Sequence, residues 1–381
     1  MKNFTTLLFA LVTTSLFVAC GEKGDETESL KKEALKQYAK VVLTSYEDSY
    51  NTALVLKQAI DAFVANPTDA GFQACKDAWF ACRVPYNQTD AFRFYGGPID
   101  DADGPEGLLN AWPLDESFVD YVQGNATGGY INAVGQPISK QALIAQNEVA
   151  GETAIFTGYH AIEFLLWGQD QSTSGPGARP YTDYVTGGGG TAANQDRRGQ
   201  FLKAAADLLL DNLTQLLDEW HPDAAYPQEF LNSNTANASM GLVFTGLKEF
   251  TKAELAGERM EVAVQTKDQE DEHSCFSDNT TNDLKMNFLG VKNSYFGTYK
   301  KVDGTTISGS SFNDLAEEID PAKAEAVRAA FLDAEAKLNA IPAPFDQTIV
   351  NNPAPVNAAV DALNTLSDLL VEIGHAVGAE F

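Results

Sequence analysis

The chain of 381 residues has only four histidines. One of them, His160, stands three residues before Glu163 in the otherwise apolar stretch GETAIFTGYHAIEFLLWG. On a helix, side chains at i and i+3 lie on neighbouring turns of one face. An imidazole nitrogen and a carboxylate oxygen placed so either share a hydrogen bond or grip one ion together, a donor set that suits zinc and the first-row metals, iron included. Ile155, Tyr159, Ile162 and Leu166 mark one face, and Phe156, His160, Glu163 and Trp167 a second. A helix expected from Glu152 to Gly168 is therefore apolar nearly all round and buried. An ionised carboxylate without a partner is costly to bury, so Glu163 must be paired, metal-bound or protonated. The plain alternative is a structural His–Glu pair that satisfies itself within the core.

Two further segments gather polar chemistry. Asp268 to Thr280, DQEDEHSCFSDNT, crowds Glu270, Asp271, Glu272, His273 and Asp278 into a loop ahead of a helix. Trp79 to Asp101 sets Arg83, Asp90 and Arg93 among aromatic residues and ends near the turn Gly96-Gly97-Pro98. A salt-bridged helix end accounts for these charges as well as a site does. His221, beside Pro222, reads as a surface residue and His375 as a core one, and neither is given a role.

The elements that must position these groups are helical. Leu35, Tyr38, Val42, Tyr46 and Tyr50 recur at three and four, as do Phe72, Cys75, Trp79 and Cys82. Pro67-Thr68 suits the start of the second helix and Pro85 its end, because proline fits a first turn but breaks an interior. Further helical patterns cover about 139–168, 196–220, 238–264, 281–296, 312–340 and 355–378, the last with the stripe Leu363, Leu366, Leu370, Ile373 and Val377. Strict apolar alternation is missing, so the expectation is all-α with at most a short hairpin. From Gln169 to Gln195, Ser-Gly-Pro-Gly and the four glycines Gly187 to Gly190 read as a flexible connection. No Lys-Ser or Lys-Thr follows those glycines, which argues against a phosphate-cradling loop.

The amino terminus carries an address. Lys2, a largely apolar run from Phe4 to Ala19, and then Cys20 have the layout of a secretory signal peptide. The run is shorter than a membrane span and is broken by Thr5, Thr6, Thr13, Thr14 and Ser15. Leu16-Phe17-Val18-Ala19-Cys20 resembles a lipobox, which makes Cys20 the lipidated first residue of the mature chain. An ordinary cleaved signal with a free product is the alternative. Residues 20–30 then form a polar tether. Removing 19 residues leaves 362, so two domains are expected, 31–185 with the His–Glu helix and 186–381.

Charge narrows the partners. The chain has 26 basic and 53 acidic residues, a net charge of −27; losing Lys2 with the leader leaves 25 − 53 = −28. Nucleic acid is excluded as a partner, since such a field repels phosphate and supplies none of the neutralising cations. It draws cations instead. Beyond Cys20 there are Cys75, Cys82 and Cys275. The first two, seven apart on one helix, stand about 10 Å from each other, beyond disulfide reach, so only a pairing with Cys275 is open. Small buried thiols are expected, and the absence of CxxC argues against structural zinc or a redox dithiol.

Taken together, these segments resemble the imelysin family, also described as insulin-cleaving membrane proteases or iron-regulated protein A-like lipoproteins. Its signature GxHxxE stands as Gly158-Tyr159-His160-Ala161-Ile162-Glu163, accompanied by AFRFYGGPID, NAWPLDE and DEHSCFSDNT. The resemblance implies two related helical bundles packed together with the signature His and Glu near their interface. It also implies a role in iron uptake on the periplasmic face or the outer-membrane surface. It marks His160 and Glu163 as metal ligands and Asp90, Arg93, Glu270, Glu272, His273 and Asp278 as the groups around the ligand. At Asp90 the family usually has Glu, so the arm is shorter here. Implied partners are an iron ion or iron-bearing ligand, iron-transport components, and the membrane through the lipid alone.

Three functions follow. The first is a protein that binds iron, as ion, haem or chelate. The second is a metallopeptidase, although HExxH, HxxEH and GxSxG are all missing. The third is a scaffold or receptor-associated lipoprotein with a structural polar core.

Overall fold

The computed structural model describes residues 16–172 and 174–381, with side chains from residue 26 onward. Residues 1–15 of the leader and the side chain of Cys20 lie outside the described residues.

The first layer is built by α1 (Leu16–Ala65) and α2 (Asp69–Thr89), followed by the short α3 (Glu106–Leu109), α4 (Lys140–Ile144), α5 (Gly158–Trp167) and α6 (Gln195–Glu219). After α7 (Ala225–Gln228) comes one long rod, α8 (Ala236–Glu249), continued by π-helical turns over Phe250–Glu261 and by α9 (Val262–Thr266). Next comes α10 (Thr280–Phe296), and strands β1 (Thr298–Lys300) and β2 (Thr306–Ser308) form an antiparallel hairpin with Tyr299 opposite Ile307. The chain ends with α11 (Phe312–Ile319), α12 (Pro321–Asn339), α13 (Phe345–Asn351) and α14 (Ala354–Val377). It is all-α apart from that hairpin.

Apolar stripes decide the packing. Helix α1 packs on α2 and α6, and its stripe Leu35, Tyr38, Val42 and Tyr46 is buried, Tyr38 against the rings of Phe92, Phe230 and Phe312; Leu363, Leu366 and Leu370 of α14 are buried where it meets α12, α8 and the π turns. Helix α5 lies against α6 and α2, with all ten of its residues buried. Cys75, Cys82 and Cys275 are buried free thiols, as expected.

Several expectations are corrected. The helix read over 139–168 is two pieces, because Glu148 and Gly151 take positive φ and the Asn147 side chain accepts from Phe156 N–H at 2.9 Å, closing a loop before α5. Pro85 does not end α2 but sits inside it; the turn beyond it is held by burial and by Asn287 Nδ2, which donates to the Asn87 carbonyl at 2.8 Å. The pattern over 312–340 divides where Asp320, bonded to Lys323 N–H, caps α12 ahead of Pro321. His375 is exposed against the Phe381 ring rather than in the core. Residues 20–30, expected as a tether, lie within α1, where Glu28 pairs with Lys32 one turn on.

The Gly-rich connection is not slack either. Arg179 and Arg198 both reach the buried Asp120, at 2.8 and 2.6 Å, and Arg179 also meets Asp183, so charge pairs fasten the loop to α6.

Candidate functional site: two histidine–carboxylate pairs

Helix α5 starts at Gly158 because nothing larger fits. Its φ is +77°, and a Cβ there would stand 2.3 Å from the Leu109 carbonyl oxygen. This close approach seats the helix against the segment that carries Asn110 and Trp112. Two residues on, His160 Nδ1 meets Glu163 Oε2 at 3.0 Å, so the i, i+3 pair shares a hydrogen bond. Glu163 Oε1 takes two more, from Ser277 N–H at 3.0 Å and Ser277 Oγ at 2.7 Å. Both carboxyl oxygens are thereby used, and Glu163 acts as the holder of His160. His160 Nε2 is buried and has no hydrogen-bond partner among the described residues.

A second pair faces the first. His273 Nδ1 lies 3.0 Å from Asp283 Oδ2, and the two imidazoles meet edge to face with centroids 4.8 Å apart. Asp283, on α10, also accepts from Ser274 Oγ, from Asn87 Nδ2 at 2.5 Å and from Asn279 Nδ2 at 2.6 Å. Asn110 orients the far side of His273. Its Oδ1 accepts from Arg83 Nη1 at 2.7 Å, which turns its Nδ2 toward His273 Nε2 at 3.4 Å. Nδ1 of His273 is then the protonated nitrogen. Arg83 lies among the rings of Trp79, Tyr86 and Tyr159, 4.9 Å from the last.

Burial sets the charge state. It drives both histidines well below their usual range; a charge on His273 would add to this for His160, and the guanidinium groups of Arg83 and Arg259 act on both. Burial pushes Glu163 up to about 8 against the opposing Ser277 hydrogen bond. Near pH 7 the site thus holds two neutral imidazoles and a protonated Glu163.

The other expected residues fall into two neighbouring groups. Asp90 accepts from Arg259 Nη1 at 2.7 Å and from Asn287 Nδ2 at 2.9 Å, while Arg93 pairs with Glu106 at 3.2 Å and Glu254 at 3.5 Å. Neither touches the histidines; Arg93 and Arg259 act on His273 only through their charge. Glu270, Glu272 and Asp278 turn to the opposite face of their loop, toward Asp170, Asp346 and Glu116. There burial and mutual repulsion raise Glu270 to about 7, Asp278 to about 6, and Glu272 well above its ordinary value. Of the acidic loop, His273, Ser274, Ser277 and Asn279 join the histidine centre. Asp283, Asn110 and Ser277 carry no spacing signal of their own. Asn110 stands in the segment NAWPLDE, the one trace of it in the sequence.

The chemistry this arrangement supports is ligation by imidazole. A carboxylate on Nδ1 fixes the ring and its tautomer and leaves Nε2 for a metal, the usual second layer of histidine metal sites. His160 fits that description, and His273 supplies a second ring. Among the described residues no three His, Cys, Asp or Glu side chains already stand as a closed ligand set.

Comparison with known proteins gives the family and supports the fold. The family model Imelysin (Peptidase M75) matches residues 42–373. The chain is 27% identical over 363 residues to iron-regulated protein A of Synechococcus elongatus, covering 93% of this chain and 88% of that one. Among solved structures, it is similar to an iron-regulated protein A precursor from Parabacteroides distasonis, with TM-score 0.66 and 20% identity over 90% of this chain and 95% of that one. An imelysin-like protein from Psychrobacter arcticus gives TM-score 0.60 and 13% identity over 90% and 93%.

Proposed function

We propose, from the premise that this chain belongs to the imelysin family, that it binds iron or an iron-bearing ligand through His160 and His273 while lipid-anchored at a cell-envelope membrane. One observation carries the reading. His160 Nε2 is buried without a partner while Glu163 holds Nδ1 at 3.0 Å. A polar atom in that condition costs stability unless something binds it. His273, its Nδ1 held by Asp283, is the second ligand once Asn110 Nδ2 gives up its 3.4 Å contact with His273 Nε2, and the two carboxylates orient rather than ligate. Imidazole nitrogen suits iron among the first-row metals. The relative named iron-regulated protein A supports the choice of metal.

The net charge of −27 raises the local concentration of cations around the protein. A lipid on Cys20 holds it on the periplasmic face or the outer-membrane surface, where iron-transport components are its partners. Anaerobic titration of the purified protein with ferrous iron tests the reading: one site in the wild type, lost in His160→Ala. Unchanged affinity in that variant overturns it.

A further inference from the structure

Three buried arginines each place a nitrogen against a carboxylate: Arg179 at 2.8 Å, Arg198 at 2.6 Å and Arg259 at 2.7 Å. Arg83 is as deeply buried, at 0% exposure, and lacks such a bond. Its Nη1 donates to the Asn110 amide oxygen at 2.7 Å. The carboxylate it faces, Asp283 Oδ2, is 3.7 Å from Nη2, beyond hydrogen-bond distance, and is already taken by His273 Nδ1 and Ser274 Oγ. Nε and Nη2 share one edge of the guanidinium, and neither has a hydrogen-bond partner among the described residues. The rings of Trp79, Tyr86 and Tyr159, 4.9 to 5.6 Å from Cζ, offset part of the charge but give an in-plane N–H no acceptor.

This idle edge belongs to the histidine centre. Asn110 links Arg83 to His273, its Nδ2 lying 3.4 Å from His273 Nε2, and Asp283 links them a second time. Other buried donors near the rings are idle as well. Trp112 Nε1 is one, on an indole that meets the His273 ring edge to face with centroids 5.8 Å apart, and the Tyr159 hydroxyl is another. Buried donors without acceptors cost stability. A guanidinium edge among them calls for a ligand that is anionic and made of acceptors.

We propose that iron is held here together with a carboxylate-type oxyanion, bicarbonate or the carboxylate of a chelate, which takes the Nε–Nη2 edge of Arg83 and offers its remaining oxygen to the metal. The inference rests on the iron reading and names the co-ligand of that same site. Two imidazoles leave most of the coordination sphere of iron open. Among the described residues no three His, Cys, Asp or Glu side chains stand ready to fill it, so further ligands come from outside the chain. The planar fork of arginine matches a carboxylate in two parallel hydrogen bonds. Asn110 Nδ2, released when the metal takes His273 Nε2, becomes a further donor to the anion.

The test is anaerobic equilibrium dialysis of the full chain with ferrous chloride in phosphate-free buffer, with radiolabelled bicarbonate in one arm and radiolabelled citrate in the other. Wild type should retain one labelled anion per iron. Label in the bicarbonate arm identifies a free anion as the source, and label in the citrate arm alone identifies a chelate. Arg83→Lys keeps the charge but cannot present a side-on pair of donors, and should hold the anion roughly tenfold more weakly or worse. Iron retained with no label in either arm overturns the proposal and leaves the iron reading standing, whereas no iron in any arm removes both. Label held by Arg83→Lys as tightly as by wild type also overturns it. The wild-type arms give their answer however the variant folds.

Discussion

The rings of His160 and His273 meet edge to face, 4.8 Å between centroids at 76°, each with its Nδ1 tied to a different carboxyl group. One comes from α5 and the other from the acidic loop ahead of α10, so the centre exists only when both segments are docked.

Metal binding should release a proton. Near pH 7 Glu163, pushed up to about 8, is protonated. Ligation through His160 Nε2 requires the remaining proton on Nδ1, facing an ionised Glu163. Calorimetry with ferrous iron in buffers of different ionisation enthalpy should show about one proton released at pH 7, falling toward none above pH 8. A release that does not change with pH would contradict this.

Stability should peak between two opposing titrations. Glu163 binds its proton more tightly in the folded chain, so stability is greatest below its unfolded value of 4.5 and falls as pH rises toward 8. The histidines act oppositely: kept neutral when folded, they lower stability as pH drops below 6.5, where the unfolded chain takes up protons. Melting temperature should rise from pH 8.5 toward about 6.5 and then decline. Glu163→Gln should make the upper slope shallower, leaving the part due to Glu270 and Glu272; a slope equal to wild type would remove Glu163 from the account.

Gly158→Ala should destabilise the fold by roughly 2 kcal/mol or more, since it combines a left-handed backbone with a Cβ driven into the Leu109 carbonyl. Urea unfolding measures it. A loss of a few tenths would mean that α5 starts where it does for another reason.

Arg259→Met should cost about 3–5 kcal/mol by leaving the buried Asp90 without its cation, while Glu254 keeps Arg93. The double variant Asp90→Leu with Arg259→Met should recover part of that loss. Urea midpoints of the two singles and the double decide it, and simple additivity would show that the pair is not coupled.

Cys20→Ser should move the protein from the membrane fraction to the soluble one and abolish incorporation of labelled fatty acid. Retention of the label would refute the anchor.

The periodicity of apolar residues was enough to read an all-α chain, because a helix buries one stripe wherever it packs; α6, α10 and α14 were visible in this way. The break inside 139–168 was not, since Asn147 is recruited by backbone amides that only the folded loop brings to it. Pro85 misled for a similar reason, because packing beyond it outweighed a local preference.

For the site, the chain alone determined that His160 and Glu163 would be neighbours inside a buried helix, since helical geometry fixes any pair at i and i+3. It also determined the acidic charge that bears on every partner. The tertiary structure decided the rest. It assigned Glu163 to hold His160, brought His273 and Asp283 opposite them, and turned Glu270, Glu272 and Asp278 away to a face of their own. These are contacts between segments distant in sequence, set by which faces of α5, α10 and the loop become buried together, and no local spacing encodes them.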